Sequence, residues 1–267
     1  MPDQVDDLAR LRVHDTRAGG FVEPVLGDEV RMYVCGITPY DATHLGHAST
    51  FLAYDLLVRT LTDRGHRVRM VRNVTDVDDP LFVKARELGV HYLDLAASEE
   101  RRFDADMAAL NAIAPDAAPR ASSAISDIRR LIGAVLDAGR AYTAGGAVYF
   151  AASESAGLGS LSGLDREAML SLAALRGGNV DDPNKRDPLD FVLWQPSSPD
   201  EPSWDSPWGP GRPGWHVECS ALVLRELGET IDIHGGGADL IYPHHECETL
   251  QSEAATGVEF ARYWMQL

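Results

Sequence analysis

The chain has 267 residues, 45% of them hydrophobic, and 24 Lys+Arg against 41 Asp+Glu give a formal charge of −17. That length suits one large α/β domain or two small ones and leaves no room for a catalytic domain plus a large RNA-reading domain. The acidic balance argues against a chain that coats nucleic acid by bulk charge, and no run of about 18 apolar residues exists to span a membrane.

In chain order, residues 1–28 read as a lead-in rich in Asp, Gly and Pro, and Met1 to Arg10 is acidic without an apolar signal core. The β-prone run Val30-Arg-Met-Tyr-Val34 predicts a strand ending at Cys35-Gly36. Ile37 to Gly46 reads as a loop. Phe51, Leu52, Tyr54, Leu56, Val58 and Leu61 then recur at helical spacing until Gly65. His66 to Val74 alternates and predicts a second strand. Strand, loop, helix, strand is a βαβ unit, and such units build parallel sheets.

Residues 98–139 predict mostly helix, and 145–187 predict short strands at best. Leu189–Trp194 resumes a core-like pattern, 200–213 is proline-rich loop, and Gly214–Leu227 is helical. Thr230–His234 is a short strand, Gly235–Gly237 a turn, and a last helix is predicted from Pro243, since proline suits a first helical position. The three cysteines, Cys35, Cys219 and Cys247, are too few for a disulfide scaffold and predict a reducing, cytoplasmic setting with free thiols.

Four constellations carry chemistry. Thr43-His44-Leu45-Gly46-His47 falls at a loop-to-helix junction. Free N–H groups and the positive dipole end attract phosphate there, and the histidines can stabilise charge developing on it. Cys35, Cys219, His244 and Glu248 are soft and hard ligands scattered along the chain, the last two sharing a helix face at i and i+4. They suit a tetrahedral zinc, although two buried cysteines and a helix-start histidine pair read equally well from spacing alone. Cys247 points away from His244 on helical spacing. His234-Gly-Gly-Gly237-Ala238-Asp239 follows a strand, where α/β sheets bind nucleotides, or is a plain glycine turn. The acidic block Asn73-Val-Thr75-Asp76-Val-Asp78-Asp79 can position an amine or metal, or simply cap a helix.

Together these blocks resemble the class I cysteine-activating enzymes. The run Cys35-Gly36-Ile37-Thr38-Pro-Tyr-Asp-Ala-Thr-His44-Leu-Gly46-His47 is similar to their His-Ile-Gly-His signature. Asn73–Asp79, Asp190–Trp194, Gly211–Ser220 and His234–Glu246 match further blocks in order. The first run, Asp79-Pro-Leu-Phe82 and Arg176-Gly-Gly178 resemble the mycothiol ligase family most, whereas Asn184–Trp194 and Glu248 resemble the cysteinyl-tRNA synthetases.

The resemblance implies a Rossmann-like class I synthetase fold. Its parallel sheet carries helices on both faces and is split by a mainly helical insertion, with divisions expected at 1–100, 101–189 and 190–267. It implies one zinc per chain on Cys35, Cys219 and His244, with Glu248 as a fourth ligand, and ATP with magnesium as substrate. His44 and His47 take the catalytic roles, and Gly46, Gly237, Ala238 and Asp239 hold the nucleotide. Gly36, Ile37, Thr38, Thr50, Asn73, Val74, Thr75 and Trp215 line the cysteinyl-adenylate pocket. The expected partners are L-cysteine, ATP and an amino-sugar acceptor, with tRNA only in a synthetase, on a monomer that binds no membrane. Both families carry a Lys-Met-Ser-Lys motif after this region, and Leu267 precedes it. A fragment or a short paralogue, catalytic or not, is therefore expected.

Overall fold

A computed structural model describes residues 10–267. The reading of Met1 to Arg10 thus lies, except for Arg10, outside the described residues. A small antiparallel ribbon, β1 (Val13–Asp15) with β2 (Gly20–Val22), leads into β3 (Glu29–Ile37), which runs one residue past the predicted end at Cys35-Gly36. Then come α1 (Leu45–Asp63), β4 (Arg67–Val74), α2 (Asp79–Leu88), α3 (Tyr92–Ala109) and α4 (Ile125–Asp137). The hairpin β5 (Ala141–Ala144) and β6 (Ala147–Phe150) precedes α5 (Arg166–Leu175). That helix falls where only short strands were predicted. Asp165 starts it by accepting a hydrogen bond from Ala168 N, and Met169 and Ala173 bury its inner face against Leu189 and Tyr242.

β7 (Phe191–Gln195) and β8 (Arg212–Pro213) follow, then α6 (Trp215–Glu226), β9 (Ile231–Gly236), α7 (Glu246–Thr256) and β10 (Ala261–Gln266). The central sheet has the order β10-β9-β3-β4, and all its pairings are parallel. Side chains alternate across β3. Met32 and Val34 pack with Phe51, Leu57 and Leu61 of α1 and Phe103 and Met107 of α3. Tyr33 and Cys35 face the opposite core, with Ile128 and Ile132 of α4, Leu222 of α6, Leu250 of α7 and Trp264. Helices thus cover both faces, as expected of a buried parallel sheet. A second, antiparallel sheet, β5-β6-β7-β8, joins residues 141–150 to 191–213. No helix among the described residues is long and apolar enough to cross a membrane.

Two local expectations are corrected. Gly235 and Gly236 complete β9 and do not form a turn. A Cβ would meet the Tyr54 ring at 2.5 Å from Gly235 and the His245 ring at 2.8 Å from Gly236, so the glycines serve close approach. The last helix starts at Glu246, not Pro243. Tyr242 is extended, its peptide to Pro243 is cis, and a wide helical turn carries Ile241–His245. Burial of Tyr242 beside α5, and the Arg176 guanidinium donating to the Tyr242 carbonyl, override the preference of proline for a first helical position.

Candidate active site

The carboxyl end of β3 sets the site. Gly36 lies against β4 so closely that a Cβ would come within 1.7 Å of the Asn73 carbonyl oxygen. Asn73 Oδ1 accepts from Gly36 N at 2.8 Å, Asn73 Nδ2 donates to Thr75 Oγ1 at 3.0 Å, and Thr75 N donates to the Ile37 carbonyl at 2.9 Å. Asn73, Val74 and Thr75 are buried in this strand-end lock. Thr38 emerges beyond it and donates to Asp78 Oδ2 at 3.3 Å. Asp78 is the N-cap of α2, accepting from Asp79 N at 2.9 Å, and burial together with the charge of Asp79 pushes its carboxyl up to about 6. Asp76 instead ties down Ser122 through its backbone N–H and hydroxyl.

The histidine pair stands at the N-terminus of α1. His44 is its N-cap, with Nδ1 accepting from His47 N at 3.4 Å, and the two rings stack at 3.8 Å. A Cβ on Gly46 would press on the His44 ring at 3.0 Å, so the glycine makes room for the cap. Burial and His44 lower the His47 pKa against the opposing charge of Asp239, which brings β9's glycine loop beside the pair. Two imidazole rings at a helix N-terminus suit hydrogen bonding to a phosphate. Asp239 and Ala238 lie in a short 3₁₀ turn after Gly237, and the Arg176 guanidinium donates to the Asp239 carbonyl. Thr50 lies on α1 one turn past His47.

On the other face of the sheet, the ligating atoms of Cys35, Cys219, His244 and Glu248 all lie within 4.8 Å of one another, and all four residues are buried. Glu248 Oε1 is 2.9 Å from His244 Nε2 and 3.5 Å from Cys35 Sγ, while Oε2 accepts from His234 Nε2 at 2.8 Å. Burial would push the Glu248 carboxyl up, but His234 and His244 hold it well below the usual range. A hydrogen bond from Cys35 outweighs burial and brings the Cys219 thiol down to about 6, while burial and that bond push Cys35 up. Tetrahedral zinc with sulfur and nitrogen ligands places donor atoms roughly 3.3–3.8 Å apart. The donor set, its spacing and its burial therefore fit zinc. Ligating atoms of Cys35, His234 and His245 also lie within 4.8 Å of one another, while His234 Nε2 is bonded to Glu248.

Trp215 opens α6 and stacks on the His244 ring at 4.3 Å, beside Thr38 on the wall of a cavity of about 760 Å³. His216 Nδ1 lies 3.0 Å from His244 Nδ1 and fixes that ring from behind. Sequence reasoning missed His216 and His234 in these supporting roles. Both stand in quoted motifs, yet nothing in their spacing says which ligand each touches. Cys247 is buried on the cavity side and stands apart from the quartet, in agreement with its helical position.

Comparison with known proteins adds family. The family described as tRNA synthetases class I (C) catalytic domain matches residues 21–267. The L-cysteine:1D-myo-inositol 2-amino-2-deoxy-alpha-D-glucopyranoside ligase of Mycobacterium ulcerans (strain Agy99) is 50% identical over 260 residues, covering 96% of this chain and 63% of that protein. The ligase of the same name from Kribbella flavida is 47% identical over 259 residues, covering 96% of this chain and 64% of that protein. This chain thus spans somewhat under two thirds of the length of these relatives. A solved Mycobacterium tuberculosis methionyl-tRNA synthetase in complex with methionyl-adenylate superposes with a TM-score of 0.67 at 17% identity, covering 89% of this chain and 56% of that one. That likeness establishes the fold. With residues 21–267 matched and the parallel sheet in place, the chain belongs to the family of class I (C) tRNA synthetase catalytic domains.

Proposed function

We propose that this chain activates L-cysteine with ATP and magnesium, and passes the cysteinyl group to the amine of glucosaminyl-inositol to form an amide. The observation that carries the reading is the buried quartet of Cys35, Cys219, His244 and Glu248 behind Trp215 and Thr38. A zinc held there supplies a soft Lewis acid that takes a sulfur ligand readily and a hydroxyl poorly, which separates cysteine from serine. Identity of about 50% to the named ligases supports the acceptor.

The remaining steps fall to the chain's own groups. Thr38 and Trp215 orient cysteine so that its carboxylate faces the α-phosphate of ATP. The carboxylate oxygen attacks that phosphorus and pyrophosphate leaves. His44 and His47, at the α1 N-terminus, stabilise the charge that grows on the phosphoryl oxygens. Gly46, Gly237, Ala238 and Asp239 hold the nucleotide. The acceptor nitrogen then attacks the adenylate carbonyl, AMP departs with the bonding pair, and the amine loses a proton. Gly36, Ile37, Asn73, Val74 and Thr75 support the pocket from the strand ends, and Thr50 does so from α1.

All three cysteines are free, which supports a reducing, cytoplasmic setting, and we expect a monomer. A second reading, transfer to a tRNA 3′ hydroxyl, is favoured by the description of the matching family and opposed by the charge of −17. The test is cysteine-dependent ATP–pyrophosphate exchange followed by AMP release with glucosaminyl-inositol or tRNA. Exchange with amide formation on the amino sugar is expected. Product with tRNA alone would reverse the acceptor assignment, and absence of exchange would remove the adenylation step.

A further inference from the structure

The cavity of about 760 Å³ is lined by Thr38, Trp215 and His216 and also by the β5–β6 hairpin and the segment after α5. None of His44, Gly46, His47, Gly237 or Asp239 lines it. The nucleotide side of the site is therefore elsewhere, and this space begins where the cysteinyl end sits. Its hairpin side is held by hydrogen bonds of its own. Tyr149 donates from its hydroxyl to Asp182 Oδ2 at 2.7 Å. Asn184 donates to Asp182 Oδ1 from its backbone N at 2.9 Å and from Nδ2 at 3.1 Å. Burial would raise Asp182, but these bonds keep its carboxyl below the usual range and hence ionised. The hairpin turn is fitted to this cluster: Gly145 has φ of 58°, and a Cβ there would lie 2.6 Å from the Asn184 side chain. Arg176, by contrast, is spent on the Asp239 and Tyr242 carbonyls.

Resting on the ligase reading, we propose that Tyr149, Asp182 and Asn184 form the acceptor subsite, which recognises the hydroxyls of a small polyhydroxylated amine. A fixed carboxylate, an amide and a phenol side by side supply the acceptors and donors that vicinal hydroxyls need. A few convergent polar groups are how small-ligand sites set orientation. Thr38 and Trp215 line the same cavity as this cluster, so an acceptor held by the cluster has its amine on the side of the cysteinyl group and the adenylate carbonyl. Neither the metal ligands nor the histidine pair is asked to recognise the acceptor.

The experiment compares Asn184→Ala, Asp182→Asn and Tyr149→Phe with the wild-type enzyme in two assays. Cysteine-dependent ATP–pyrophosphate exchange reads the first step without acceptor. Amide formation is then followed against the concentration of glucosaminyl-inositol and, separately, of glucosamine, which lacks the inositol hydroxyls. Exchange within about twofold of wild type is expected, with KM for glucosaminyl-inositol raised about tenfold or more and the preference over glucosamine reduced. An unchanged acceptor KM and preference in all three variants would overturn the subsite while leaving the ligase reading intact. Parallel loss of exchange and amide formation in all three would mark the wall as structural and overturn it as well. Wild-type exchange without any amide on the amino sugar would overturn both readings together.

Discussion

His234 donates from Nε2 to Glu248 Oε2 at 2.8 Å, with both side chains fully buried. That bond turns the other carboxylate oxygen toward His244 and Cys35. A carboxylate in that position, held ionised by two imidazoles, is poised as a metal ligand and costs little reorganisation on binding. His234→Gln is therefore expected to weaken zinc about 10–100-fold, read by competition against a chromophoric chelator. Cys219→Ser, which removes a thiolate ligand outright, is expected to abolish stoichiometric zinc. Unchanged zinc content in Cys219→Ser would remove the proposed metal assignment.

On the proposed reading, the stacked pair of His44 and His47 acts on charge that appears only in the transition state of adenylation. His44 is exposed, so its loss leaves no buried hole. His44→Ala is expected to slow ATP–pyrophosphate exchange about 10²–10³-fold, with only the modest loss of stability, about 1 kcal/mol, that removing a helix cap brings. A rate within threefold of wild type would take His44 out of the chemistry.

Gly36 tests the strand-end lock. A methyl group 1.7 Å from the Asn73 carbonyl oxygen has backbone on the opposing side, with no flexible side chain to yield. Gly36→Ala is expected to cost about 3 kcal/mol or more in urea unfolding, by forcing β3 from β4. Full stability would mean the two strands separate there at no cost.

Asp78 gives a pH signature. Its carboxyl is pushed from an ordinary 3.8 up to about 6 by burial and by Asp79. A raised acid binds its proton more tightly in the folded state, so the native protein gains stability as pH falls through about 6 and loses it as pH rises. Asp78→Asn removes that dependence. The stability of wild type relative to the variant is expected to rise by about 1.4 kcal/mol from pH 8 to pH 5, measured by urea titration at each pH. A constant difference would mean that Asp78 titrates normally.

Much of the fold is legible in local pattern. The alternation of Met32 and Val34 against Tyr33 and Cys35 marks a strand buried on both faces, and Gly65 closes α1 with a positive φ. The helix α5 was not legible, because its Ala, Leu and Met residues fall on every side of it and its buried stripe is defined by Leu189 and Tyr242 from elsewhere. The start of α7 was misplaced for a related reason: contacts of Tyr242 with α5, distant in sequence, hold the chain extended where proline alone favours a helix.

The sequence by itself determined the chemistry available: the thiols, imidazoles and carboxylate, the glycines that allow close approach, and the order of blocks shared with the class I enzymes. It determined them because residue type and nearest-neighbour spacing are local properties. Tertiary structure alone decided which of these groups meet. Cys35 and Glu248 are separated by 213 positions in the chain, yet Sγ and Oε1 lie 3.5 Å apart. Only the parallel pairing of β3 with β9, and the packing of α6 and α7 on one face of that sheet, brings the four ligating atoms together. Tertiary structure also brings Tyr149, Asp182, Asn184 and Trp215 to line one cavity, a neighbourhood that no spacing along the chain encodes.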